Sequence, residues 1–67
     1  MPMKILLGDY MYKRNLTARQ VEIMTGVSKS TINRISNSQI SPTMDVMEQL
    51  AKGLGIKISD LYSSDFQ

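Results

Sequence analysis

The chain has 67 residues, neither cysteine nor histidine, and a formal net charge of +2 at pH 7. A globule of this size is expected to be one domain, residues 1–67, that buries only about 60 % of the surface its unfolded chain exposes, and no disulfide, thiolate metal site or imidazole base supplements it. The charge is uneven, six Lys/Arg against two acids in residues 1–42 and two against four in residues 43–67; this suits an anionic partner such as nucleic acid or an acidic protein, although chance scatter of so few charges gives similar counts.

The opening MPMKILLGDY holds only three consecutive strong hydrophobes, Ile5 to Leu7, too few for a signal-peptide core or a membrane span, so a soluble cytoplasmic protein is expected. Pro2 suits a first helical turn, and Ile5, Leu6, Leu7, Tyr10 and Met11 follow as one apolar stripe that ends in Lys13, Arg14 and Asn15. This predicts a first helix over about residues 2–14. Thr17 stands three residues before Gln20 in a capping-box pattern, with Leu16 and Val21 placed as a hydrophobic staple, so a second helix starts at Ala18. Gly26 ends it after about Thr25 by adopting the left-handed conformation.

Ser28 caps a third helix that runs to about Ser36. Asn37 to Pro42 form a polar connection, and Thr43 caps a fourth helix with Asp45 in its first turn. Met47, Leu50, Ala51 and Leu54 give that helix its apolar face, and Gly55 stops it. Ile56 and Ile58 lead into Ser59, read as the cap of a last turn containing Leu61 and Tyr62. The segment IKIS, 56–59, is the one strand candidate, and it is too short to make a sheet alone. The prediction is all-α, five short helices, with a tight glycine-containing turn between the second and third. That is a helix-turn-helix arrangement, and it lies in the positive part of the chain.

With about 100° per residue, Lys29, Ser30, Asn33 and Arg34 share one side of the third helix, opposite Ile32 and Ile35. The helix can therefore bury its isoleucines together with Val27 and present a continuous polar face without an acid. DNA offers phosphate charge and, in the major groove, guanine acceptors for Arg or Lys, while Asn and Ser can donate or accept. Taken alone, an ordinary solvated helix face has the same look.

The run Leu16–Thr17, Val21, Gly26–Val27–Ser28, Thr31–Ile32, Ile35, Pro42–Thr43, Leu50–Ala51, Leu54–Gly55–Ile56 and Leu61 resembles the lambda-repressor/Cro-type helix-turn-helix family, also called the XRE family, over nearly the whole chain. The resemblance implies a compact five-helix domain that binds double-stranded operator DNA through its third helix, generally as a dimer, in bacteria, phages and mobile elements. Carried over, the base-reading positions fall on Lys29, Ser30 and Arg34. Backbone or flanking positions fall on Thr17, Arg19, Ser28, Thr31, Asn33, Asn37 and Ser38. No cofactor or metal is implied.

The sequence departs from the family pattern at four places. Ala18 replaces a DNA-contacting glutamine. Met11 and Ser36 replace an arginine and glutamate that many members pair; losing both together avoids a stranded, partly buried charge worth roughly 3–5 kcal/mol. Glu22 takes the place of a small residue and needs a cationic or hydrogen-bonding partner, with Arg14 as one candidate. Ile23 falls where the family is polar, either a lone exposed hydrophobe or part of a contact surface.

A transcriptional regulator, working as a repressor, is the leading expectation. The alternative is a protein-interaction role on the same fold, as an antitoxin or anti-repressor, drawing on Ile23, Tyr12, Tyr62 and Phe66. A dimer surface is expected at the end of the fourth helix and Ile56 to Phe66. Catalysis is not expected, because the acids form no recognisable acid/base pair and the serines have no histidine base. The methionines read as core filler, with Met11, Met24 and Met47 on apolar faces.

Overall fold

The computed structural model describes residues 4–63. In chain order these form a two-residue strand β1 (Lys4–Ile5), helices α1 (Leu7–Arg14), α2 (Ala18–Thr25), α3 (Lys29–Ser36) and α4 (Met44–Leu54), a 3₁₀ turn (Ile58–Leu61), and a second two-residue strand β2 (Tyr62–Ser63). The helix starts follow local side-chain chemistry. Thr17 and Gln20 form a complete capping box: the Gln20 N–H donates to Thr17 Oγ1 at 3.1 Å and the Thr17 N–H donates to Gln20 Oε1 at 2.8 Å. Ser28 Oγ accepts the Thr31 N–H at 3.3 Å, and Thr43 Oγ1 accepts the Val46 N–H at 3.2 Å.

The helix ends are as regular as the starts. Asn15, Gly26, Ser38 and Gly55 all have left-handed backbone, with φ of 56°, 80°, 61° and 71°. At α1, α3 and α4 the two closing bonds of a Schellman motif are present: Leu16 and Asn15 N–H to Met11 and Tyr12 O, Gln39 and Ser38 N–H to Arg34 and Ile35 O, and Ile56 and Gly55 N–H to Ala51 and Lys52 O. At α2 the Gly26 N–H alone closes on Glu22 O at 2.8 Å, so the chain leaves this helix sooner and turns straight into α3.

Two parts of the predicted fold need correction. The first helix begins at Leu7, and Lys4–Ile5 instead pair antiparallel with Tyr62–Ser63, Lys4 opposite Ser63 and Ile5 opposite Tyr62. The Leu6 N–H donates to Leu61 O at 2.8 Å, so backbone groups that a longer helix would bond internally are satisfied by the far end of the chain. Leu6 occupies the cap position with no side-chain hydrogen bond to hold a start further upstream. The expected start at Pro2 lies outside the described residues.

The second correction is at the C-terminal end. The segment IKIS is no strand, and the last turn is four residues of 3₁₀ helix; it opens at Ile58, where the Lys57 N–H donates to Asp60 Oδ2 at 3.0 Å, and Ser59 lies inside it. Tyr62 belongs to β2. The described residues thus hold four α-helices, not five, and a small strand pair that joins Lys4–Ile5 to Tyr62–Ser63.

The core is made by Leu7, Val21, Val27, Ile32, Ile35, Met47, Leu50, Ala51, Leu54 and Leu61, all buried. Helix α2 packs on both α4 and α3, and α1 packs on α3. The α2–α4 crossing is very close: a Cβ on Gly53 would stand 2.6 Å from both the Met24 carbonyl oxygen and the Thr25 Cα. Met24 is 45 % exposed, against the expectation that it fills the core, because α2 turns Val21 and Thr25 inward. Met47 is buried and Met11 half-buried. Among the described residues no helix is long and apolar enough to cross a membrane.

Candidate nucleic-acid interface

Helix α3 is set by the residues on its inner side. Ile32 and Ile35 are 0 % and 2 % exposed, and Lys29, Ser30, Asn33 and Arg34 are all exposed on the other. The polar and apolar sets separate as the helical periodicity requires. The one ion pair among the described residues joins Lys4 to Asp9 at 3.9 Å, so Lys29, Arg34 and Arg19 are not neutralised by a carboxylate. The face therefore offers two cations and an amide whose side chains enter no hydrogen bond among the described residues, and a Ser30 hydroxyl that lies 3.4 Å from Ser28 Oγ.

The turn that presents this helix is held by buried polar chemistry absent from the sequence expectations. The Thr25 hydroxyl donates to Val21 O at 2.7 Å and accepts the Val27 N–H at 3.2 Å. Gln49 on α4 donates through Nε2 to Thr25 O at 3.0 Å. Thr25 is 8 % exposed, so these bonds satisfy groups that would be costly to leave unpaired. They bind the end of α2 to the start of α3 on one side and to α4 on the other.

Among the described residues Glu22 meets neither Arg14 nor any other side-chain cation. Its Oε2 accepts the backbone N–H of Lys29 at 3.0 Å, at the first residue of α3. Arg14 instead lies over the Tyr10 ring, 5.3 Å from its centroid. The positive end of the α3 dipole gives the carboxylate a favourable place.

The flanking residues divide by what they already do. Ser28 and Thr31 hydroxyls bond each other at 2.8 Å, and Thr31 is half-buried. Thr17 is exposed but committed to its capping box. Arg19, Asn37 and Ser38 are exposed and enter no side-chain bond among the described residues, and Ser38 holds its left-handed conformation next to the end of α3. Ala18 is half-buried against the core.

Ser36 lies against Gly8 where α3 meets α1. Met11 packs against the core, the Ser36 hydroxyl donates to Asn33 O at 3.1 Å, and a Cβ on Gly8 would come within 3.1 Å of Ser36 O. Of the apolar residues considered for protein contact, Tyr12 is 87 % and Ile23 72 % exposed. Tyr62, Ile56 and Ile58 are half-buried against the core, and Phe66 lies outside the described residues.

Residues 10–61 match the helix-turn-helix family model. The chain is also 33 % identical over 60 residues, 90 % of its own length and 91 % of the relative's, to a protein of Methanocaldococcus jannaschii described as an uncharacterized HTH-type transcriptional regulator. The chain belongs to the helix-turn-helix family of lambda-repressor/Cro type, the XRE family.

Proposed function

We propose that this chain is a sequence-specific double-stranded DNA-binding transcriptional regulator, a repressor whose α3 enters the major groove. The observation that carries this reading is the exposed, acid-free face Lys29, Ser30, Asn33 and Arg34 on a helix anchored through Ile32 and Ile35. Lys29, Ser30 and Arg34 are assigned to base edges, where Arg or Lys suits guanine and Ser accepts either polarity. Arg19, Asn37 and Ser38, with Thr17, Ser28, Thr31 and Asn33 at the margins, are assigned to the backbone. Family membership and the name of the relative support a regulator of this kind.

One recognition helix covers only a few base pairs, so the protein acts on DNA as a homodimer on half-sites about 34 Å apart. The whole chain, 1–67, serves as one DNA-binding domain working in the cytoplasm. Selection from a randomised duplex pool tests the reading: the wild-type chain enriches a short, two-fold symmetric motif, and a pool left unenriched would contradict it.

A further inference from the structure

We propose that Glu22 is a positioning residue for α3 that also sets DNA selectivity, an assignment resting on the DNA-binding reading above. Glu22 grips both sides of the turn. Its main-chain oxygen accepts the Gly26 N–H at 2.8 Å, and its carboxylate accepts the Lys29 N–H at 3.0 Å. Glu22 thus meets the Gly26 turn through its main chain and the first residue of α3 through its half-buried side chain, beside the bonds that Thr25 makes.

The bond is to the main chain of Lys29 and not to its ammonium. Lys29 remains exposed and forms no ion pair among the described residues, so the carboxylate orients the lysine without consuming its charge. Helix α3 has no acid of its own in its first turn. Glu22 supplies that missing negative charge from the neighbouring helix.

Two of the first-turn donors of α3 are occupied, Lys29 N–H by Glu22 and Thr31 N–H by Ser28. A helix start that is already neutralised attracts phosphate less, whatever the base sequence beside it. Contacts from Lys29, Ser30 and Arg34 then make up a larger part of the total. Selectivity rises by weakening the wrong complexes as well as by strengthening the right one.

The test uses the 67-residue chain as wild type, Glu22→Gln and Glu22→Ala. Amide hydrogen exchange at Lys29 is followed by NMR without DNA, and anisotropy measures affinity for the duplex enriched by the wild type and for a mixed-sequence duplex of equal length. Glu22→Gln keeps the acceptor and drops the charge: Lys29 exchange stays within about twofold, affinity for mixed-sequence DNA rises roughly two- to fivefold, and the preference for the enriched duplex shrinks. Glu22→Ala drops both: Lys29 exchanges about tenfold faster, and the preference for the enriched duplex shrinks further than in Glu22→Gln.

Unchanged Lys29 exchange and an unchanged preference in Glu22→Ala would overturn the proposal. If Glu22→Ala does not fold, unchanged mixed-sequence affinity in Glu22→Gln overturns it. A wild-type chain with no preference between duplexes contradicts the DNA reading instead, and the grip on α3 is then decided by the exchange rates, which need no DNA.

Discussion

Gly53 on α4 rests against Thr25 on α2 so closely that a Cβ at position 53 would lie 2.6 Å from the Thr25 Cα. The contact falls at the residue whose hydroxyl and carbonyl tie α2, α3 and α4 together. The packing of α4 therefore bears directly on how α3 is held. A glycine inside a helix usually costs stability, and here it permits the approach.

Gly53→Ala is expected to destabilise the fold by about 1–3 kcal/mol, since the atoms in the way are backbone and must move. For a chain of this size each kcal/mol lowers the melting temperature by roughly 4–8 °C. Thermal unfolding followed by circular dichroism checks this. A melting temperature equal to wild type would show that the two helices can part at no cost.

Thr25→Val keeps the shape of the side chain and removes both hydroxyl bonds, leaving the buried Val27 N–H without its partner. The expected loss is about 1–3 kcal/mol. Thr25→Ser retains the oxygen and should recover part of the loss. Urea unfolding of the pair distinguishes hydrogen bonding from packing, because a packing role alone would make the serine variant the worse of the two.

Ser38 is a non-glycine residue with φ of 61° at the position where a Schellman motif favours glycine. Ser38→Gly should gain up to about 1 kcal/mol by relieving the left-handed strain, less the extra entropy of glycine in the unfolded chain. If the serine hydroxyl meets phosphate as proposed, the same variant binds DNA more weakly while being more stable. Chemical denaturation and binding measured on one preparation separate the two effects.

Much of the fold was legible because its cues are local. Thr17 with Gln20, Ser28, Thr43, Gly26 and Gly55 each act within three or four residues, where sequence spacing and structure coincide. The division of α3 into Ile32 and Ile35 inside and Lys29, Ser30, Asn33 and Arg34 outside follows from the same periodicity. The pairing of Ile5 with Tyr62 could not be seen, since it joins opposite ends of the chain and two-residue strands leave no alternation to read. Ser38 gave no sign of its left-handed backbone, because serine marks many other things.

The partner of Glu22 escaped for a different reason. The carboxylate is satisfied by a main-chain N–H at the start of the next helix and not by Arg14, and a main-chain donor leaves no residue type to read in a sequence. Gly53 and Thr25 were passed over because close approach of two helices is a property of their packing, not of either segment. An acid beside a helix start within a few residues is the signal that could have led to Glu22.

Met11 and Ser36 stand where the resemblance implies an arginine and a glutamate; Met11 packs against the core and Ser36 lies against Gly8 of α1. Met11→Arg alone should destabilise the fold by about 1–3 kcal/mol, because a partly buried cation gains no partner. Adding Ser36→Glu should return part of that loss. A double-mutant cycle in urea unfolding measures the coupling, and an additive result would mean that the two positions do not meet.

The exposed face of α3 is the proposed DNA contact, and anisotropy titration of a duplex in rising salt, with wild type beside the double variant Lys29→Ala, Arg34→Ala, decides it. Log affinity should fall linearly with log salt for the wild type, with a slope of about −0.9 for each phosphate neutralised. The double variant should bind about tenfold or more weakly at fixed salt and discriminate less between sequences. Affinity indifferent to salt, or a double variant that binds as wild type does, would contradict it.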